Sequence, residues 1–201
     1  WGGNSTSRYN YLNDTYNTGS DYYFENIVAS GGETLDSFIN TDRARGSSSI
    51  VTVPMVGWVS KNSPSSHPFL CSFPKTDFPN QDDYDYWDPN CGNGTRNGWT
   101  TLLTADPTTT SRTADETFGE NMVDSLVSSY GAADAGGVDF YALDNEPVLW
   151  NSTHRDVHPD PLDADELWSK SHATAAAVKT ADPSAAVLGA GDWGCCAYSY
   201  S

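Results

Sequence analysis

Residues 138–147 read Val138-Asp139-Phe140-Tyr141-Ala142-Leu143-Asp144-Asn145-Glu146-Pro147. The apolar and aromatic run over 138–144, closed by a polar pair and a proline, predicts a buried β-strand. If its neighbours are strands of the same kind joined through helices, the sheet is parallel. Functional groups then collect beyond the carboxyl ends of the strands, and Asn145 and Glu146 stand at that end.

Working outward, two more runs have the same character. Ser49-Ile50-Val51-Thr52-Val53-Pro54-Met55-Val56-Gly57-Trp58 predicts a strand upstream, weakened by Pro54, which has no N–H to give a ladder. Ala186-Val187-Leu188-Gly189-Ala190 predicts another downstream. Helical patterns lie between them. Leu35, Phe38 and Ile39 share one face ahead of the first strand. Thr113 and Glu116 form a capping-box pattern before Phe118, Met122, Val123, Leu126, Val127 and Tyr130, and Gly131 supplies the stop. Asp163 and Glu166 open a third helix bearing Leu167, Ala175 and Val178, broken at Asp182-Pro183. Alternation of this kind predicts an α/β fold, with parallel strands inside and helices outside. No internal repeat or coiled-coil heptad is visible.

Ser60 to Arg112 interrupts the alternation with a loop rich in Pro, Asn, Asp, Gly and aromatics, among them Phe69, Phe73, Phe78, Tyr84, Tyr86, Trp87 and Trp99. Loops this long in compact domains are functional or disordered. The aromatic content, with Cys71 and Cys91 free to pair across it, favours an ordered, functional loop on the carboxyl face. Cys195 and Cys196 are adjacent and read as two thiols. There is no C-x-x-C pair, which removes zinc-ribbon and thioredoxin readings.

The 201 residues carry a net charge of −17 with only 10 Lys and Arg, so clustered phosphate contacts and a nucleic-acid partner are not expected. No apolar run approaches the roughly 20 residues of a bilayer span. Aromatics at 12% suit a sugar cleft, in which flat rings pack on pyranose faces, and they equally suit a core. A disulfide would place the chain in an oxidising, secreted setting. Asn-x-Ser/Thr patterns start at Asn4, Asn13, Asn93 and Asn151, and the two on the expected active-site face are read as coincidence. The chain opens at Trp1 without an initiator Met and stops after a strand-like segment, which suggests a piece of something longer.

Glycosidic cleavage needs a carboxylic acid to protonate the departing oxygen. Glu146, beside apolar and aromatic neighbours such as Tyr141 and Trp150, is suited to donate that proton. The adjacent amide of Asn145 can hold the sugar's 2-hydroxyl. Asn-Glu-Pro alone also describes an exposed strand-end acid. Trp58, Trp150 and Trp193 each fall at or just beyond a strand end and read as sugar platforms, with core packing as the other use.

The surrounding residues are more specific. Trp1-Gly2-Gly3-Asn4-Ser5-Thr6 with Arg8-Tyr9-Asn10, Asp21-Tyr22-Tyr23-Phe24-Glu25-Asn26-Ile27, Pro54 to Trp58, and Ala142 to Trp150 continuing through Thr153-His154-Arg155-Asp156-Val157-His158-Pro159, together with Trp193-Gly194 and Ala197-Tyr198, resemble glycoside hydrolase family 44. The resemblance implies a retaining endo-β-1,4-glucanase acting on cellulose-like or xyloglucan chains. It also implies a TIM-like (β/α)8 barrel joined to a β-sandwich. On it Glu146 is the catalytic acid/base, and Asn145, Asn4, Trp58, Trp150 and Trp193 are expected to bind substrate. The chain would hold about strands two to five of the barrel over residues 1–201, with loop 60–112 on the active face. The β-sandwich and the nucleophilic glutamate would lie outside it, since a whole barrel takes about 250 residues. The alternative is a non-catalytic carbohydrate-binding protein or an inactive fragment.

Glu25, a stand-in for the nucleophile, falls in a helix-like stretch and reads as structural. His154 and His158 have metal-ligand spacing on a helix but no accompanying Glu, so cleft lining or a loop hydrogen-bond network is preferred. No cofactor is required by the reading. Asp82, Asp83, Asp85 and Asp88 offer oxygens for a structural calcium without EF-hand spacing, and a solvated acidic loop is the default. The metal ligands and the oligomeric state are not specified by the sequence.

Overall fold

The computed structural model describes residues 1–30 and 34–193. Along them run β1 (Thr15–Asn17), β2 (Asn26–Val28), α1 (Leu35–Arg45), β3 (Ile50–Val53), β4 (Trp58–Ser60), β5 (Thr95–Arg96), β6 (Thr101–Leu102), β7 (Ser111–Thr113), α2 (Glu116–Tyr130), β8 (Phe140–Leu143), α3 (Trp150–Thr153), α4 (Ala164–Ala181) and β9 (Ala186–Leu188). Strands β3, β8 and β9 form a parallel sheet in that order, with Val51, Tyr141 and Val187 in one row. The connections run through α2 and α4, as the alternation predicted.

Register divides the sheet into two faces. Val51, Val53, Tyr141 and Leu143 are fully or nearly fully buried. The first three of these pack in one cluster with Leu35 and Ile39 of α1, Met122, Val123 and Leu126 of α2, and Val178 of α4. The other face carries Ile50, Phe140, Ala142, Ala186 and Leu188, and Ile50 and Leu188 remain 45% and 36% exposed. Trp1 lies along the outer edge of β3: its amino group donates to Ile50 O at 2.7 Å and its carbonyl accepts from Thr52 N at 3.1 Å.

The helix boundaries follow side-chain caps, each of which contributes about 1 kcal/mol. Thr34 accepts from Ser37 N, and α1 stops at Gly46, whose φ of 68° costs glycine little. Asp163 accepts from Glu166 N and opens α4. The cap of α2 is Asp115, accepting from Phe118 N at 3.1 Å, and not Thr113. Thr113 is held in β7 opposite Trp58, so its hydroxyl lies outside the helix start.

The upstream run is also divided. Its parallel strand ends at Val53, and Trp58 begins β4, which pairs antiparallel with β7 in a separate sheet. Pro54 ends the ladder, and the N–H groups of Met55 and Val56 turn to Asp144. Loop 60–112 is ordered, as expected. Cys71 and Cys91 form a disulfide, Phe24, Phe73 and Ala105 make a small core of their own, and β5 and β6 form a hairpin. No helix among the described residues is long and apolar enough to cross a membrane.

Candidate active site

Glu146 sits just beyond the carboxyl end of β8, half-buried, as the cap of a short 3-10 turn over Pro147–Leu149. Its N–H donates to Gly191 O at 2.7 Å and its carbonyl accepts from Leu149 N at 2.9 Å. Asn145 bridges Gly191 in parallel register, so the sheet continues one step past β8 and β9. Asp144 and Glu146 both have left-handed backbones, with φ of 56° and 47°. Non-glycine residues adopt this region at a cost, and only where surrounding contacts over-determine them.

Asp144 supplies those contacts. Its carboxylate is buried and accepts from Met55 N at 2.5 Å, Val56 N at 3.1 Å, Asn145 N at 2.7 Å and Trp150 Nε1 at 3.4 Å, and from the Ser7 hydroxyl. Burial is the largest influence on its proton affinity and raises it against the pull of these donors. One side chain thus ties the N-terminal turn, the end of β3 and the end of β8 together.

Other predicted residues are distributed around this clamp. Asn4 is half-buried on the N-terminal 3-10 turn, with its amide donating to Asp21 Oδ2 at 2.8 Å. That turn reaches Asp144 through Ser7. Trp193, two residues past Gly191, is 63% exposed and free to present a ring. Asp192, which the sequence reading did not single out, places Oδ1 3.5 Å from Val148 N in the same turn. Trp58 is half-buried against the cluster of Met55, Val56, Leu143, Trp150 and Val157.

Trp150 is a correction. It is 0% exposed and its ring is enclosed by that cluster, so it cannot face a sugar; it positions Asp144 instead. Tyr141 is likewise fully buried under the helices, and neither residue forms an apolar cleft wall around Glu146. Gly194, Ala197, Tyr198 and the Cys195–Cys196 pair lie outside the described residues.

Behind the site runs a buried polar layer. Arg8 and Asp156 are both fully buried and paired, with Nη1 to Oδ1 at 3.0 Å and Nη2 to Oδ2 at 3.3 Å. Ser72 donates to Asp156 at 2.7 Å and Arg8 donates to Ser111 at 2.6 Å. Burial alone would raise the Asp156 carboxyl, but the Arg8 charge and these hydrogen bonds hold it below its ordinary value. His158 pairs with Glu166 at 3.0 Å, the network role preferred for it. His154 is fully buried and makes no such network; the Asn4 backbone faces its ring outside strict hydrogen-bond geometry.

A second acidic cluster lies under loop 60–112. Glu25 is not helical, because Tyr23 and Phe24 take φ of 51° and 54°, and it bridges Cys71 instead. It is 0% exposed, neither carboxyl oxygen meets a partner in strict hydrogen-bond geometry, and burial, the charges of Asp85 and Asp88 and a looser contact with the Asp85 carboxylate push it up to about 8. Asp85 and Asp88 are buried at 2% and 3%, so these two are no solvated loop, while Asp82 and Asp83 are exposed. Oxygens of Glu25 and Asp88 approach within 4.8 Å of one another and of Cys91 Sγ, which the disulfide removes as a ligand. An orphaned buried carboxyl beside two others fits a hard, oxygen-seeking cation.

A parallel α/β sheet with an Asn-Glu pair pinned at the carboxyl end of its central strand is the arrangement in which α/β folds build their sites. Comparison with known proteins narrows this. Residues 15–201 match the model of glycoside hydrolase family 44, and the chain belongs to that family. It is 30% identical over 216 residues to endoglucanase A of Paenibacillus lautus, covering 98% of this chain and 28% of the relative. It is 28% identical over 215 residues to the beta-mannanase/endoglucanase A of Caldicellulosiruptor saccharolyticus, covering 98% and 15%. Among solved structures, a bifunctional glucanase-xylanase from a metagenome library superposes with a TM-score of 0.91 at 38% identity, over 98% of this chain and 38% of that one. A Paenibacillus polymyxa xyloglucanase of the same family gives 0.61 at 27%, over 93% and 36%. The chain therefore spans well under half the length of each.

Proposed function

We propose that this chain is the acid/base-bearing part of a secreted retaining endo-β-1,4-glucanase that cleaves cellulose-like or xyloglucan chains. The observation that carries the reading is the position of Glu146, beyond the carboxyl end of β8 with its backbone bonded to Gly191, in a chain of family 44. Glu146 protonates the leaving oxygen and later activates water, Asn145 orients the sugar at its 2-hydroxyl, and Asn4, Trp58 and Trp193 line the path of the glycan. The nucleophilic carboxylate is supplied from outside this chain.

The sheet supports the barrel that this requires. One face is buried under α1, α2 and α4, and the other carries Ile50, Phe140, Ala142 and Leu188 in rows, as the inward-facing residues of a closed barrel are arranged. Trp1 on the outer edge of β3 marks where the preceding strand would lie. In this reading residues 1–201 hold about strands two to five, and the β-sandwich lies elsewhere in the polypeptide.

A calcium ion held by Glu25, Asp85 and Asp88 fits the donor set. Bound there, it would neutralise buried carboxylates and fix the base of loop 60–112.

The test is Glu146→Gln in the full-length enzyme, assayed on an unactivated glucan. A loss of about 10²–10⁴-fold, the contribution of a general acid, is expected. Unchanged hydrolysis would overturn the assignment.

A further inference from the structure

A helical turn opens with N–H groups that have no partner inside it, and the side chain of the cap residue ordinarily accepts one of them. In the turn over Pro147–Leu149 the cap residue is Glu146, yet its side chain makes no cap hydrogen bond. The backbone donors from 145 to 149 are placed all the same. Asn145 N donates to Asp144 Oδ1 at 2.7 Å, Glu146 N to Gly191 O at 2.7 Å and Leu149 N to Glu146 O at 2.9 Å. Pro147 has no N–H. Val148 N, the donor that a cap side chain would take, meets Asp192 Oδ1 at 3.5 Å. That contact is long for a hydrogen bond, and its strength lies in the carboxylate's charge.

Asp192 reaches that donor because the sheet continues past its named strands. Asn145 bridges Gly191 in parallel register, which sets the residue after Gly191 beside the turn that follows β8. The cap is therefore supplied from the neighbouring strand end, 44 residues away in sequence. The consequence falls on Glu146, whose carboxyl is not drawn back onto its own turn. A carboxylate bonded to Val148 N would be turned away from a substrate. The same bond would favour its ionised form, which is the wrong form for a proton donor.

We infer that Asp192 is a positioning residue for the catalytic acid. By occupying Val148 N it keeps the Glu146 carboxyl off its own turn and available to the glycosidic oxygen. The catalytic part of this inference rests on Glu146 being the acid; the positioning part rests on the geometry of the turn alone.

Asp192→Ala and Asp192→Asn in the full-length enzyme test the two parts separately. Positioning is read from a crystal structure of Asp192→Ala, in which the Glu146 carboxylate should move onto Val148 N. A carboxylate that keeps its place there would overturn the positioning role. Catalysis is read from kcat/KM, which reports the first bond cleavage, on cellohexaose and on dinitrophenyl β-cellobioside. The aryl leaving group departs as a stable anion and needs no proton, whereas the sugar oxygen does. Asp192→Ala should lose about 10-fold or more on cellohexaose, part of what a general acid supplies, and stay within about threefold of the parent on the aryl glycoside. Asp192→Asn keeps an acceptor oxygen for Val148 N and should recover most of the cellohexaose rate. A merely structural role lowers both substrates together, so equal losses, or none on either, would overturn the inference. Glu146→Gln is the reference and should show the same split in larger measure. If Glu146→Gln hydrolyses cellohexaose as the parent does, the acid assignment falls and the catalytic part with it, while the crystal structure of Asp192→Ala still decides the positioning role.

Discussion

The Asp144 carboxylate accepts the backbone N–H of Met55 at 2.5 Å, joining the end of β8 to the end of β3 at the point where Pro54 stops the ladder. A strand that terminates at a proline leaves the next amides without sheet partners, and one buried acid meets two of them. Replacement by alanine strands several buried donors, each costing about 1–3 kcal/mol. Asp144→Ala is expected to lower unfolding free energy by at least about 3 kcal/mol in urea titrations, and Asp144→Asn, which keeps one acceptor oxygen, by less. Equal stability of Asp144→Ala and the parent would show that the clamp contributes nothing.

Arg8 and Asp156 join chain segments 148 residues apart in sequence. Breaking a buried pair by removing one partner leaves an uncompensated charge and costs about 3–5 kcal/mol, whereas replacing both with apolar groups is often neutral. Arg8→Met alone should therefore destabilise strongly, and Arg8→Met with Asp156→Leu should recover much of the loss. Ser72 and Ser111 lose Asp156 and Arg8 in the double variant and keep only the Thr110 hydroxyl between them, so recovery stays incomplete. A double variant as unstable as the single would show that the layer's hydrogen bonds, and not the charge balance, hold it together.

The parallel sheet was legible because β-branched and aromatic runs at 50–53 and 140–143 alternate with capped helical faces, and local pattern dictates local structure. Glu146 at a strand end followed from the same pattern. Trp150 was misread because its position next to the motif says nothing of side-chain direction; the 3-10 turn at Pro147 rotates it inward to Asp144. The pairing of Arg8 with Asp156 and the burial of Glu25, Asp85 and Asp88 depend on contacts between distant segments, for which neither spacing nor composition carries a signal. Pro54 did give warning of the broken strand. Asp115 was passed over because the Thr-x-x-Glu pattern at Thr113 is equally good locally, and only the pairing of β7 with β4 excludes it.

Glu25 gives the calcium proposal a thermodynamic signature. Its carboxyl is pushed up to about 8 from 4.5 by burial and by the charges of Asp85 and Asp88. A raised folded value means that its contribution to stability is fully present below about pH 4.5 and is lost as pH rises through about 8. In chelator, the thermal midpoint should therefore fall as pH rises from about 4.5 to about 8 and level off above it. Calcium at about 100 times its dissociation constant should add about 2.7 kcal/mol and release protons at pH 7. Glu25→Gln should abolish both Glu25's contribution to this slope and most of the calcium effect. A midpoint indifferent to calcium and chelator across this range would remove the metal from the site.

His154 sets the acid side. Burial first, and then the Arg8 charge, hold its imidazole down at about 3 from 6.5, with Asp156 and the Asn4 backbone pulling the other way and His158 adding to the depression. A depressed folded value means that its contribution is fully present above about pH 6.5 and is lost as pH falls toward about 3. One proton taken up on unfolding gives a slope of at most about 1.4 kcal/mol per pH unit. Asp156 is also depressed from 3.8, but its contribution begins to fall only below that value; the raised carboxyls of Glu25 and Asp144 act in the opposite direction between pH 4 and 6, so the histidine's part is the difference between parent and variant. His154→Phe keeps a ring in a space where neither imidazole nitrogen has a close partner, and it should make the slope of stability against pH between pH 4 and 6 less positive than the parent's. Urea midpoints of parent and variant measured across that interval decide the matter: parallel slopes would mean that the acid sensitivity arises elsewhere.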